Sequence, residues 1–214
     1  MKALLTMDDF SAGNIPAIVD YLEEKEIPVI FFAWGECVEK YYDEALYALK
    51  KGNIIGNHSY SHPHFSELSF EEGVEEIESC ERVLDKLYKD AGVRRQYRPF
   101  RFPYGDKGGE NKELFQKYLK EHSFDKVDDN NIIYPWWKEK GLDKDIDTYW
   151  TFDFCEYNIR PESGFTMEDV FNRMYDKEPS EGGVLFDPHG YHILLLHSHD
   201  ETEELVREYY KRIL

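Results

Sequence analysis

The amino-acid sequence predicts an α/β fold, in the form of a distorted (β/α) barrel that has about seven parallel strands and resembles the TIM barrel. Short apolar runs alternate with segments of helical spacing along the chain, a pattern typical of parallel strands joined by crossover helices. Polar residues follow many of these runs, at the strand ends where parallel architectures assemble their sites. The 214 residues show no internal boundary, so one domain over residues 1–214 is predicted.

The first 60 residues are predicted to contain three buried strands, with a helix after each of the first two. Apolar residues at helical spacing predict a helix at residues 15–24, which Pro16 suits as a first-turn residue. A second helix is predicted at residues 41–50, because Gly52 follows as a stop signal. The predicted strands are residues 3–7, 28–34 and 54–55.

The longest predicted helix begins after Ser69, which forms a capping-box pattern with Glu72, and runs to about Lys89. Residues 129–147 are irregular and are predicted to form a long loop on the same face as the site. Further helices are predicted at residues 114–119, 167–175 and 201–213. Further strands are predicted at residues 98–102, 124–127, 149–154 and 193–197.

Charge and composition exclude several classes of partner. The formal net charge is -18, from 44 acidic and 26 basic residues. Such a surface repels nucleic-acid phosphates and anionic lipid, so neither nucleic acid nor a membrane is expected as a partner. No cluster of basic residues contradicts this expectation, and no feature implies a protein partner.

The expected location is the cytoplasm. Cys37, Cys80 and Cys155 are widely spaced and form no C-x-x-C pair, which fits buried thiols in a reducing compartment. No apolar run is long enough to span a membrane. Residues 1–7 are too short for the apolar region of a signal peptide.

An aspartate pair and a histidine pair predict a catalytic metal site. Asp8 and Asp9 end the first strand, where adjacent like charges are costly unless something pairs with them. His58 and His62 are four residues apart and can both face one ion. One Asp and two His suffice for a metal site that keeps a position open for water, which leaves the other Asp for proton chemistry. The pattern indicates a metal-assisted hydrolase. An iron oxygenase uses a similar triad but needs no additional Asp and His.

Each candidate also has an ordinary structural explanation. The Asp pair could cap the following helix, and a lone His at the end of an apolar run is more often a hydrogen-bonded core residue. The shared position of the candidates at strand ends favours a common site. The candidates are Asp8, Asp9, His58, His62, Arg101, Tyr104, Asp153, Glu156 and His197.

Several other residues are left outside the predicted site. His199 is expected in a loop after the last strand. Tyr134, Trp136 and Trp137 could form a stacking platform for a sugar ring or could equally pin their loop to the core.

The chain resembles the polysaccharide deacetylase family (the NodB-homology domain, carbohydrate esterase family 4). The family motif T-F-D-D is matched by TMDD at residues 6–9, with Met in place of Phe. The motif H-[ST]-x-x-H is matched by HSYSH at residues 58–62, and R-x-P-[YF]-G by RFPYG at residues 101–105. The last motif, L-x-H, is matched by LLH at residues 195–197.

The fourth family motif is the poor match. It usually ends in an Asp-Trp pair with another Asp upstream, whereas here Glu156 and Tyr157 stand at the pair position. Asp153 matches the upstream acid, so either acid could steady the final histidine.

The resemblance implies roles for the candidates. Asp9, His58 and His62 would hold one divalent ion, most often Zn²⁺, although Co²⁺, Ni²⁺, Mn²⁺ and Fe²⁺ suit the same ligands. The other residues would act around it, with Asp8 as the general base and Arg101 pairing with it.

The backbone N–H of Tyr104 would stabilise the oxyanion, and His197 would act as the general acid. Asp153 or Glu156 would favour its imidazolium form. The implied reaction is deacetylation of an N-acetylated sugar or oligosaccharide. The alternatives are an O-acetyl esterase, a small-molecule amidohydrolase of the same fold, and a non-catalytic carbohydrate-binding module.

Overall fold

The computed structural model describes residues 2–199 and 210–214. Its described residues form one parallel sheet of five strands in the order β3-β2-β1-β5-β4. The first strand in the sequence is therefore central, with the last one beside it. The strands are β1 (Lys2–Ser11), β2 (Val29–Ala33), β3 (Ile54–Asn57), β4 (Phe152–Asp153) and β5 (Tyr191–His199).

Seven α-helices that lie wholly within the described residues connect or cover these strands. The predicted capping box opens the longest helix, since Ser69 accepts from the Glu72 amide, and Gly92 ends that helix with a φ of 69°. The helices are α1 (Ile15–Glu24), α2 (Gly35–Lys40), α3 (Tyr42–Lys50), α4 (Phe70–Ala91), α5 (Lys112–Glu121), α6 (Pro135–Glu139) and α7 (Met167–Met174). None of these helices is both long and apolar enough to cross a membrane.

Of the helix predicted at residues 201–213, residues 210–213 are helical and residues 201–209 lie outside the described residues.

Both faces of the sheet are buried, which is expected when crossover helices cover a parallel sheet. Along β2, Phe31 belongs to a cluster with residues of α1, α3 and α4, while Phe32 faces the opposite side. The opposite face is covered by residues 127–142, and Trp137 packs there beside Ile30 and Ile193. The segment predicted as a long irregular loop, residues 129–147, therefore contains helix α6 and covers an apolar face of the sheet.

The barrel of about seven strands is not observed. Residues 98–102 form a single parallel bridge, between Phe100 and Asn57, and residues 124–127 are not a strand. Proline has no backbone N–H, so Pro99 and Pro103 prevent a regular ladder over residues 98–102. The strand predicted at residues 149–154 is reduced to Phe152–Asp153. The described residues therefore form an open five-stranded sheet.

Candidate active site

The carboxyl ends of β1, β3 and β5 meet around one cavity of about 550 Å³. This edge of a parallel sheet is where the sequence places its candidate residues. The lining residues are Asp8, Asp9, Ser11, Trp34, His58, His62, Tyr104, Trp150, Asp153, Tyr157, Arg160, Leu195, His197 and His199.

Asp9, His58 and His62 have mutually close ligand atoms, all within 4.8 Å of one another. His62 Nε2 lies 3.2 Å from Asp9 Oδ1 and 3.3 Å from His58 Nε2. His58 Nε2 lies 3.8 Å from the same Asp9 oxygen. Three donors converging on a small volume, two of them imidazole nitrogens, match the donor set of a zinc or other transition-metal site.

The protonation of His58 and Asp9 suits metal binding. His58 Nδ1 donates to the Arg101 carbonyl oxygen at 2.8 Å, which directs the Nε2 lone pair toward Asp9 and His62. Burial lowers the pKa of His58 to about 4, against the opposing charge of Asp8, so its imidazole is neutral at pH 7. Burial alone would raise the pKa of Asp9, but the hydrogen bond with His62 and nearby histidine charges hold that pKa well below its usual range.

Asp8 is paired with a fully buried arginine. Arg101 Nη1 donates to Asp8 Oδ1 at 2.6 Å and to Thr6 Oγ1 at 2.9 Å, and its Nε donates to the Thr148 carbonyl at 3.1 Å. The guanidinium also lies 4.4 Å from the centre of the Phe32 ring. These contacts fix Asp8 beside the donor cluster, with its Oδ2 lying 3.6 Å from His58 Nε2.

His197 lies next to Asp8 on the neighbouring strand and is paired with a buried acid. Its Nδ1 lies 3.4 Å from Glu156 Oε1, and its backbone N–H donates to the same oxygen. Burial alone would lower the pKa of His197, but the hydrogen bond and charge of Glu156, aided by Asp153, raise it to about 10. This arrangement holds a proton on His197 at neutral pH.

Comparison with known proteins identifies the family. The family model for polysaccharide deacetylase matches residues 2–126, more than half of the chain. The chain belongs to the polysaccharide deacetylase family.

Relatives of the chain in this family are named as sugar deacetylases. The peptidoglycan-N-acetylmuramic acid deacetylase PdaC of Bacillus subtilis is 34% identical over 116 residues, which are 51% of this chain and 22% of that protein. A peptidoglycan-N-acetylglucosamine deacetylase of Bacillus cereus is 33% identical over 106 residues, 49% of this chain and 37% of that protein. The chain thus spans well under half the length of these curated relatives.

The fold of the family is also found in solved structures. A mutant of BA3943, a carbohydrate esterase family 4 pseudoenzyme from Bacillus anthracis, matches with a TM-score of 0.64 at 18% identity. The match covers 99% of this chain and 62% of that one. At this identity the likeness establishes the fold.

The altered fourth motif of this family member still supplies an acid and an aromatic ring to His197. Glu156 makes the direct contact described above, and the Tyr157 ring lies edge-on to the His197 ring at 4.5 Å. Asp153 is buried nearby, within 4.8 Å of both His197 and Glu156 by their ligand atoms, and its Oδ1 accepts from the Cys155 amide. Glu156 is thus better placed than Asp153 to orient His197.

The aromatic residues that surround the cavity differ from those suggested by the sequence. Trp137 is buried and donates to Asp129, and neither Tyr134 nor Trp136 lines the cavity. The segment packs on the sheet face that carries Ile30, Phe32 and Ile193, but its aromatic rings lie outside the cavity lining. The lining instead includes Trp34, Tyr104, Trp150 and Tyr157.

Two residues that line the cavity but were not predicted, Trp34 and His199, nevertheless had a signal in the sequence. Trp34 directly follows β2, at the same kind of strand end that identified the other candidates. His199 lies two residues after His197, and successive residues of a strand alternate between faces, so both reach the same side if the strand continues. β5 does continue through His199, contrary to the expected loop.

Backbone strain is concentrated at the site. Positive φ values, which are uncommon for residues other than glycine, occur at Asp9 (77°), Ser59 (65°), His62 (62°) and Tyr104 (57°). Such conformations persist only where surrounding contacts enforce them, and they cluster at functional sites. Here they orient two of the three proposed metal ligands.

Proposed function

We propose that the protein is a metal-dependent hydrolase that removes acetyl groups from N-acetylated sugars or oligosaccharides. The observation that carries the proposal is the meeting, in one cavity, of three metal-ligand side chains, an arginine-paired aspartate and an acid-paired histidine. A protein that only binds carbohydrate needs neither the Asp8–Arg101 pair nor the Glu156–His197 pair.

Asp9, His58 and His62 would hold the divalent ion, most often Zn²⁺. Their donor set fits it, because the His58 tautomer is fixed with Nε2 facing inward and the Asp9 carboxylate is ionised. When bound there, the ion would polarise the acetyl carbonyl and lower the pKa of a water molecule. No feature of the ligands distinguishes Zn²⁺ from Co²⁺, Ni²⁺, Mn²⁺ or Fe²⁺.

Asp8 is the proposed general base. It would accept a proton from the water that attacks the acetyl carbon, and Arg101 would hold the carboxylate in the correct orientation. Arg101 acts through Asp8, because its guanidinium is completely buried behind that side chain.

Tyr104 and His197 would act in the steps that follow the attack of water. The backbone N–H of Tyr104 would donate to the developing oxyanion. His197 would then give its proton to the leaving nitrogen as the C–N bond breaks, releasing acetate and a free amine. Glu156 would orient His197, and Asp153 would add to the field that keeps it protonated.

The proposed substrate class follows from the relatives and the cavity. The names of the matched relatives specify N-acetylmuramic acid, N-acetylglucosamine and chitooligosaccharide deacetylation. Trp34, Tyr104, Trp150 and Tyr157 offer apolar ring faces with polar edges, which suit stacking against a sugar ring.

The test is the metal content of the purified protein, followed by acetate release from N-acetylglucosamine oligomers with and without a chelator. Bound metal with chelator-sensitive release is the expected result. Acetate release from O-acetyl sugars alone would instead assign the protein as an esterase. Failure to bind any divalent metal after reconstitution would contradict the proposal.

A carbohydrate-binding module is the second candidate. It is favoured by the Glu156-Tyr157 pair in place of the family's Asp-Trp. Sugar binding without acetate release, by protein that retains its metal, would support this second candidate.

A further inference from the structure

We infer that His199 is a positioning residue, which orients the Asp9 carboxylate for metal binding by donating a hydrogen bond to its second oxygen. His199 Nε2 lies 3.0 Å from Asp9 Oδ2. The other Asp9 oxygen, Oδ1, is the one that faces His58 and His62. The two sides of one carboxylate are therefore divided between the proposed metal ligands and His199. This inference rests on the proposed metal site.

A bulge in β1 produces this contact. Asp8 is paired with His197 across the β1–β5 ladder, whereas Ser11 is paired with His199, so β1 uses three residue steps where β5 uses two. The bulge comprises Asp9 and Phe10, both of which have positive φ. A bulge of this kind redirects a side chain that regular alternation would place on the other face. Asp8 and Asp9 can thus both line the cavity.

The position of His199 indicates that it supports the ligand Asp9 and is not itself a fourth metal ligand. The described residues with mutually close donor atoms around Asp9 are His58 and His62, and His199 does not belong to that group. His199 lines the same cavity, and its ring is stacked on the His197 ring with the centres 5.8 Å apart. The stacking and the strand backbone hold the imidazole in place beside Asp9 Oδ2.

A fixed partner for a ligating carboxylate has a measurable consequence. A carboxylate whose second oxygen is held cannot rotate away from the ion, and removal of such outer contacts typically costs about 10–100-fold in metal affinity. The Asp9 backbone is itself in an unfavourable conformation, with a φ of 77°, so its side chain depends on contacts for its orientation.

The experiment compares the affinities of wild type, His199→Ala and His199→Gln for Co²⁺ and Zn²⁺, by competition with a chromogenic chelator. We expect His199→Ala to bind about 10–100-fold more weakly, with an unchanged Co²⁺ absorption spectrum. His199→Gln should recover much of the loss, because its amide also donates. His189→Ala, which removes an exposed histidine outside the cavity, is the matched control and should bind like wild type.

Two outcomes would overturn the inference. If His199→Ala binds metal as tightly as wild type, then His199 does not position Asp9. If both variants lose affinity equally and the Co²⁺ spectrum changes, then His199 is itself a ligand. Wild-type protein that binds no metal would instead refute the proposed function, so the two failures are distinguishable. Thermal unfolding of each metal-free variant checks that the fold is retained.

Discussion

Asp8 and Asp9 are neighbours in the sequence, but they have different partners. Asp8 is bonded to the buried Arg101, whereas Asp9 faces His62 on one side and His199 on the other. Each carboxylate is thereby compensated separately, which reduces the cost of burying two adjacent negative charges. This separation allows one Asp to serve as a base while the other binds an ion.

The substitution Asp8→Asn tests whether Asp8 acts as the base while Asp9 binds the ion. The amide keeps the shape of the side chain but cannot take a proton, so turnover should fall by about 10²–10⁴-fold. Metal affinity should remain close to that of wild type, since Asp8 is not one of the three proposed ligands. Asp9→Asn is the matched comparison and should lose metal as well as turnover. Acetate release and metal titration are the measurements, and wild-type turnover by Asp8→Asn would refute the assigned base.

The Glu156–His197 pair has a predictable pH dependence. The raised pKa of His197 means that the imidazole keeps its proton at neutral pH and loses it as the pH rises through about 10. Glu156→Gln removes the compensating charge, so the His197 pKa should fall and deprotonation should occur at lower pH. NMR titration of the histidine ring signals of metal-free protein measures this directly. An unshifted His197 titration in Glu156→Gln would show that Glu156 does not control it.

At the scale of elements, helix α4 anchors the loop that carries both proposed metal histidines. Glu76 accepts hydrogen bonds from the Tyr60 and Ser61 amides and from the Ser61 hydroxyl, at 2.8–3.0 Å. One turn further along, Glu81 accepts from Asn57, whose side-chain oxygen in turn accepts from the Ser59 amide. These contacts connect the longest helix to the loop between His58 and His62.

Glu81 is also an ion-pair partner shared by two arginines, so its replacement should destabilise the fold. Arg95 and Arg98 both donate to the Glu81 carboxylate, at 2.8 Å, and Arg95 is nearly buried. Glu81→Gln leaves Arg98 without this carboxylate and leaves Arg95 with only the exposed Asp85, which should cost about 3 kcal/mol of unfolding free energy. Glu75→Gln on the same helix is the control, because its ion pair with Arg82 is exposed to solvent and should contribute much less to stability.

The difference in stability between Glu81→Gln and wild type should depend on pH. Burial alone would raise the Glu81 pKa, but the charges and hydrogen bonds of Arg95, with Asn57 and Arg98, lower it. The stabilisation is therefore complete above the ordinary glutamate pKa and is lost as the pH falls through the lowered value. Chemical denaturation at several pH values should show the smallest difference between Glu81→Gln and wild type in acid. An equal difference at all pH values would contradict this account.

At the scale of the whole molecule, the elements that depend on neighbouring residues could be predicted from the sequence, whereas contacts between distant strands could not. The caps and periodicity of α1 and α4 depend on neighbouring residues, and both helices lie where expected. The proposed metal residues were found because strand ends converge. The contact between His199 and Asp9 was missed because it depends on a bulge, which is a property of the pairing of two strands 180 residues apart in the chain. One of the two predicted strands that are not observed, residues 98–102, contains Pro99 and is followed by Pro103, which limit its pairing to a single bridge.

The topology also predicts that the chain unfolds as a single unit. The family model ends at residue 126, but β5 lies between β1 and β4 in the middle of the sheet and carries His197. A fragment of residues 1–126 would leave the β1 edge unpaired and expose buried residues such as Leu5 and Met7. We therefore expect this fragment to show no cooperative unfolding, whereas the full chain shows one transition that coincides by circular dichroism and tryptophan fluorescence. A cooperative transition in the fragment would mean that residues 1–126 form a domain of their own, and that the last strand is added to a sheet that is already stable.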